Sequence, residues 1–175
     1  MNVSGFPMFA LAVALIAGTA DCKKSEAATA AEPVKASPIA APKGPDCPGH
    51  AACATSFFVD AVAPASCAVG AACSLTLKLV ALGDYHVNDE YPYRFKANDA
   101  PAVRFEGTDA AGKNVFSKPA GDWQKSDLKS GTMLVKFTAL QKGPTPIAGT
   151  FKLSVCSAQN CLLEQPQVSA LVLVR

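Results

Sequence analysis

From Ser56 onward the chain alternates apolar and polar residues with a period of two, and clusters of turn-forming residues interrupt the pattern at short intervals. This alternation constrains the fold more than any other feature, because successive side chains of a strand point to opposite faces. Leu75, Leu77 and Leu79 alternate with Thr76, Lys78 and Val80, and Met133, Val135 and Phe137 alternate with Leu134, Lys136 and Thr138. Tyr91, Tyr93 and Phe95 alternate with Pro92, Arg94 and Lys96, where the proline marks an edge or a strand start. Residues 57–62, 103–105, 151–155 and 168–174 complete the set of candidate strands. Turn chemistry separates them at 83–84, 98–101, 107–112, 129–131 and 142–146. No stretch of helical length shows a helical stripe. About seven short strands predict an all-β fold, a two-sheet antiparallel β-sandwich over residues 55–175, with a closed barrel as the alternative.

The segment before that domain has a different composition. Residues 9–18 form an apolar run too short to span a bilayer, of the size of a signal-peptide core, and small residues follow it. Cys22 comes next, then Lys23 and Lys24 and a tract rich in Ala, Pro, Ser, Lys and Glu. That order resembles a bacterial lipoprotein. It predicts a signal peptide over 1–21, lipidation at Cys22, and a tether or linker over 22–54, disordered over 23–46, with the first cysteine pair opening the ordered part. Cleavage by an ordinary signal peptidase is the other reading. Either way the chain is expected to be exported to the cell envelope or periplasm, with lipid as its sole membrane anchor. The net charge of +2 is spread without blocks of one sign, which argues against a nucleic-acid partner.

Seven cysteines in 175 residues suit an exported protein better than a cytosolic one. With Cys22 taken by lipid, the rest fall into three close pairs: Cys47/Cys53, Cys67/Cys73 and Cys156/Cys161. Local pairing is the simplest arrangement, although sequence alone does not choose among the connectivities. Cys47, Cys53, Cys67 and Cys73 are read as structural staples. The third pair is different. Phe151, Leu153 and Val155 share one face of a strand, whereas Lys152, Ser154 and Cys156 share the other. Cys156 is therefore predicted to point away from the core and to be accessible.

The stretch from Leu75 to Leu79, followed by 83–95, resembles the early strands of the amino-terminal domain of the thiol:disulfide interchange protein DsbD, of the disulfide bond corrector family. The strand 150–155, the pair Cys156/Cys161, Pro166 and the closing Val-rich strand resemble that domain's redox segment. The resemblance implies an immunoglobulin-like sandwich. It also implies a redox role for Cys156 and Cys161 with a thioredoxin-like or membrane redox protein as partner. Family members shield the pair with an aromatic residue, which segment 114–127 would supply here as Phe116 or Trp123. With neither a membrane part nor a thioredoxin-like part in this sequence, electrons would come from a separate protein.

Local chemistry narrows that role. Lys152 shares the face of Cys156 but sits four residues back, and Glu164 opposes ionisation of a thiol. There is no Cys-x-x-Cys at a helix start, so the pair is expected to be attacked by a partner's cysteine rather than to initiate exchange. Cys47, His50 and Cys53 invite a zinc reading, but no second cluster completes a tetrahedral site. His86, the other histidine, is read as an ordinary strand residue. Asp84, Asp89 and Glu90 are read as a solvated turn. No phosphate loop, dinucleotide fingerprint or nucleophile elbow is present, and neither cofactor nor metal is expected. Two functions stay open. One is a thiol–disulfide exchange module; the other is a non-catalytic immunoglobulin-like envelope lipoprotein that binds another protein and uses its disulfides for stability.

Overall fold

A computed structural model describes residues 47–175, which form strands, turns and loops without a helix. The expected signal peptide, the lipidation site Cys22 and the tether up to residue 46 lie outside the described residues. In chain order the strands are β1 (Ala52–Ala54), β2 (Phe57–Val62), β3 (Ala72–Ala81), β4 (His86–Val87), β5 (Arg94–Ala97) and β6 (Val103–Phe105). They continue as β7 (Val115–Ser117), β8 (Trp123–Lys125), β9 (Ser130–Ala139), β10 (Gly143–Cys156), β11 (Cys161–Glu164) and β12 (Gln167–Val174). The strands expected from the alternation are present, except that the one expected over 91–96 is confined to Arg94–Ala97, with Tyr91 and Tyr93 outside it. The ordered fold also reaches back before residue 55, because Ala52, Cys53 and Ala54 pair with Val59, Phe58 and Phe57. The first cysteine pair thus opens the ordered part at a sheet edge.

The strands make two antiparallel sheets. One runs β1-β2-β3-β9-β6, with β8 also paired to β9. The other is organised by β10, which carries β11 and β12 along one side and β4 and β5 along the other, with β7 beyond β5. Their apolar faces pack into one core, giving a two-sheet antiparallel β-sandwich. Leu75, Leu77, Leu79, Met133, Val135 and Phe137 come from the first sheet, and Phe95, Phe151, Leu153 and Val155 from the second. Aromatic rings join the layers. Trp123 of β8 stacks on Tyr93 at a centroid separation of 4.0 Å and lies 6.0 Å from Phe151 of β10. Phe105 of β6 meets Phe116 of β7 edge-on at 6.2 Å. Fully burying one such ring stabilises the fold by about 1.5–3 kcal/mol relative to leaving it in water.

Residues 142–146, expected as a turn, belong mostly to β10. Pro144 and Pro146 are accommodated because they share a parity with Ala148, whose carbonyl accepts from Asn98 N (2.8 Å) on the side away from β12. Their missing N–H groups therefore fall on the open side of the strand, where no ladder bond is lost. On the β12 side the register is continuous. Thr150 pairs with Gln167 and Leu153 with Glu164, so β11 and β12 form one return strand opposite β10. Pro166 interrupts it without a slip, and its carbonyl still accepts from Phe151 N at 3.0 Å.

Candidate disulfide site at the tip of the long hairpin

The β10–β11 ladder ends in a short reversal. Val155 faces Leu162 and Cys156 faces Cys161, after which Ser157 N donates to Asn160 O at 2.7 Å around Ala158 and Gln159. The Ser157 hydroxyl oxygen accepts from the backbone N–H groups of Gln159 (3.2 Å) and Asn160 (3.3 Å), the local capping that serine brings to turns. Hydrogen-bonded and non-hydrogen-bonded pairs alternate along an antiparallel ladder. Cys156 and Cys161 therefore occupy a non-hydrogen-bonded position, where facing side chains approach most closely. Their Cα atoms are 4.0 Å apart and their sulfurs are bonded.

On its other side β10 meets β4, with Val155 opposite Val87 and Cys156 opposite His86. Two rows follow from these registers. Val87, Val155 and Leu162 face the core, where the first two are fully buried and Leu162 partly so. His86, Cys156 and Cys161 form the next row, on the outer face. The expected parity of Cys156 is correct, since it lies outside the apolar core cluster, but the expected accessibility is not: Cys156 is only 6% exposed. A central strand flanked on both sides leaves little of a small side chain open. The exposed member of the pair is Cys161, at the sheet edge. Leu163, on the same face two residues along β11, is 66% exposed.

Phe116 and Trp123, the candidates for shielding the pair, do not shield it. Phe116 is fully buried in β7, in the register row Phe151–Phe95–Phe116, which is five positions along β10 from Cys156. Trp123 belongs to the opposite sheet and points its ring into the core. Segment 88–93 is the one that lies beside the site. Asn88 Nδ2 donates to Ser154 Oγ (3.2 Å) and the Tyr93 hydroxyl donates to Ser154 O (2.7 Å), leaving Ser154 fully buried. Burial pushes the Tyr93 phenol well above the ordinary tyrosine range. In the same segment Lys125 Nζ lies 2.7 Å from both carboxylate oxygens of Asp89, and Lys118 donates to the Asp89 carbonyl. The hydrogen bond from Lys125 holds the Asp89 carboxyl below the usual range.

The other bridges sit elsewhere. Cys47 is bonded to Cys53 and Cys67 to Cys73. Cys67 is buried and its carbonyl accepts from Arg175 N at 2.8 Å, so this bridge fastens the end of β12 to the start of β3. His50 Nδ1 lies 2.6 Å from Asp60 Oδ1 and the ring stacks on Phe58, while both neighbouring sulfurs are used in the disulfide. Asp84 and Glu90 are exposed turn residues. His86, expected as an ordinary strand residue, is the side chain that the fold sets beside the pair. No local signal marks it, because only the long-range pairing of β4 with β10 brings it beside Cys156.

Fold and bridges together define a disulfide-stapled, all-β sandwich of the kind suited to an oxidising, extracytoplasmic compartment. No protein-family model matches the chain, and no curated protein matches it in sequence. Among solved structures it is similar to AggA, the major subunit of aggregative adherence fimbriae type I from Escherichia coli. That match has 12% identity and a TM-score of 0.32, and covers 68% of this chain and 95% of that one. It is also similar to the PapD-like domain 7 of human CEP192, with 15% identity and a TM-score of 0.26, covering 80% of this chain and 95% of that one.

Proposed function

We propose that this protein is an exported thiol–disulfide exchange module that passes reducing equivalents to or from a thioredoxin-like partner through Cys156 and Cys161. The observation that carries the reading is the asymmetry of the bridge: Cys161 is exposed at a sheet edge and Cys156 is buried behind it. A partner thiolate attacks the exposed sulfur of Cys161 and forms a mixed disulfide, and the Cys156–Cys161 bond breaks with its electron pair passing to Cys156. A second thiol of the partner then attacks the mixed disulfide and releases Cys161. The partner leaves oxidised and the pair leaves reduced; the reverse sequence oxidises the pair. The bridge lies outside the apolar core, and opening it leaves the surrounding ladder bonds in place, which supports a cycle of this kind. Anchoring through lipid at Cys22 would keep the module at a membrane surface and is part of the same proposal.

A second reading, a non-catalytic envelope lipoprotein that binds another protein, is favoured by one observation. All three pairs are bridged locally in the same way, as staples would be. Incubating the oxidised protein with a reduced thioredoxin-like protein lacking its resolving cysteine separates the two. The exchange reading expects a mixed disulfide at Cys161; no adduct while the fold is intact supports the staple reading.

A further inference from the structure

We propose that His86 controls the charge of the Cys156 sulfur, holding it as a thiolate when the bridge is open. The inference rests on the exchange reading and names the group that would make the buried cysteine a competent leaving group. His86 and Cys156 are direct register partners between β4 and β10, so their side chains emerge side by side on the outer face. The adjacent pair on the ladder, Val87 and Val155, turns the other way into the core. A buried thiol in apolar surroundings is a poor thiolate, whereas a neighbouring imidazolium favours the charged form.

The charges around this row do not cancel that effect. Asp89, in the loop after β4, is held by the Lys125 ammonium while Lys118 holds its carbonyl, and the Asp89 carboxylate also acts on His86, where its negative charge favours the imidazolium. Lys129 donates to the carbonyls of Gly83 (2.6 Å) and Tyr85 (2.5 Å) just before β4. On β10, Lys152 is on the same face as Cys156, and on β11 Glu164 is in register with core-facing Leu153, on the opposite parity. In the exchange step the partner thiolate bonds to Cys161, and the electron pair of the broken bond goes to Cys156. His86, when protonated, pairs with that thiolate and keeps it charged. No further oxidant or reductant is needed.

The test isolates Cys156 in the Cys161→Ser protein and follows its alkylation by iodoacetamide between about pH 5 and 9, the range in which histidine charge changes, by mass spectrometry of the peptide. The expected result is that adding His86→Gln slows the reaction about tenfold at neutral pH and moves the midpoint of the profile upward by about one unit. His86→Lys, which keeps a positive charge, should restore the fast rate, and it decides the matter if the glutamine variant fails to fold. Superimposable profiles for folded His86 and His86→Gln proteins, or a slow His86→Lys protein, overturn the proposal. This readout needs no partner. A shifted profile in a protein that never forms the mixed disulfide would sink the exchange reading and leave the role of His86 standing.

Discussion

Cys156 and Cys161 face each other across the β10–β11 ladder with Cα atoms 4.0 Å apart, yet the first is buried and the second exposed. The difference comes from position in the sheet: Cys156 has a strand on each side and Cys161 has one. Two chemically identical sulfurs thereby acquire different access to solvent.

That asymmetry predicts unequal single variants. The Cys156→Ser protein retains an exposed thiol at Cys161 and should form a mixed disulfide with oxidised glutathione readily. The Cys161→Ser protein should do so at least about tenfold more slowly, since exchange needs access to the sulfur. Intact-mass time courses measure both. Equal rates, or the reverse order, would contradict the geometry.

Phe116 is expected to matter for stability and not for access to the bridge. Phe116→Ala removes a fully buried ring that packs on Phe105 and should cost about 3–5 kcal/mol in urea unfolding. Under conditions where the variant stays folded, the rate at which glutathione opens Cys156–Cys161 should be unchanged. A faster opening would mean that Phe116 shields the pair after all.

Gly131 and Trp123 are packed so closely that a methyl group does not fit. A Cβ on Gly131 would lie 2.3 Å from Trp123 Cζ2, so Gly131→Ala must displace the indole or separate β8 from β9. The expected cost is about 1–3 kcal/mol. Trp123 is the one tryptophan in the sequence, so its fluorescence should report the displacement directly as a shift to longer wavelength. An unshifted spectrum with unchanged stability would refute the packing described for this strand pair.

Tyr93 gives the fold a dependence on alkaline pH. Burial raises its phenol above the ordinary value, so the neutral form is favoured in the folded state. The associated stability is complete below the unfolded tyrosine value of about 10 and declines as pH rises beyond it. Ultraviolet titration should show one phenol that ionises only with unfolding, and Tyr93→Phe should remove that late step. Ionisation of all tyrosines in the native protein near pH 10 would contradict the burial.

Much of this fold was legible in the alternation itself. Leu75 to Leu79, Met133 to Phe137 and Phe151 to Val155 are long enough to show a period of two, and each lies where it was expected. The strands β1, β4, β7, β8 and β11 were not legible, because tertiary pairing makes these short segments strands. Pro144 and Pro146 suggested a turn because the sequence does not reveal which side of β10 is open. The family resemblance made Phe116 and Trp123 candidates for shielding the pair, whereas β7 and β8 turn both rings inward. The candidate site divides in the same way. The cysteine pair was visible in the spacing, whereas the burial of Cys156 and its pairing with His86 depend on β4, which joins β10 from far along the chain.

On the proposed function, the Cys156–Cys161 bridge opens and closes while the sandwich stays folded. The chain-entropy cost of losing a bridge across so short a loop is only about 2 kcal/mol, and the ladder bonds on both sides of β10 remain. The most direct measurement equilibrates the full protein in glutathione buffers of graded potential, quantifies alkylated Cys156 and Cys161 peptides, and follows folding by circular dichroism in the same samples. Reduction is expected at a potential well above about −300 mV, with the β-sheet signal unchanged. A pair that stays oxidised until the sheet signal is lost, or that reduces only below about −300 mV, would contradict it.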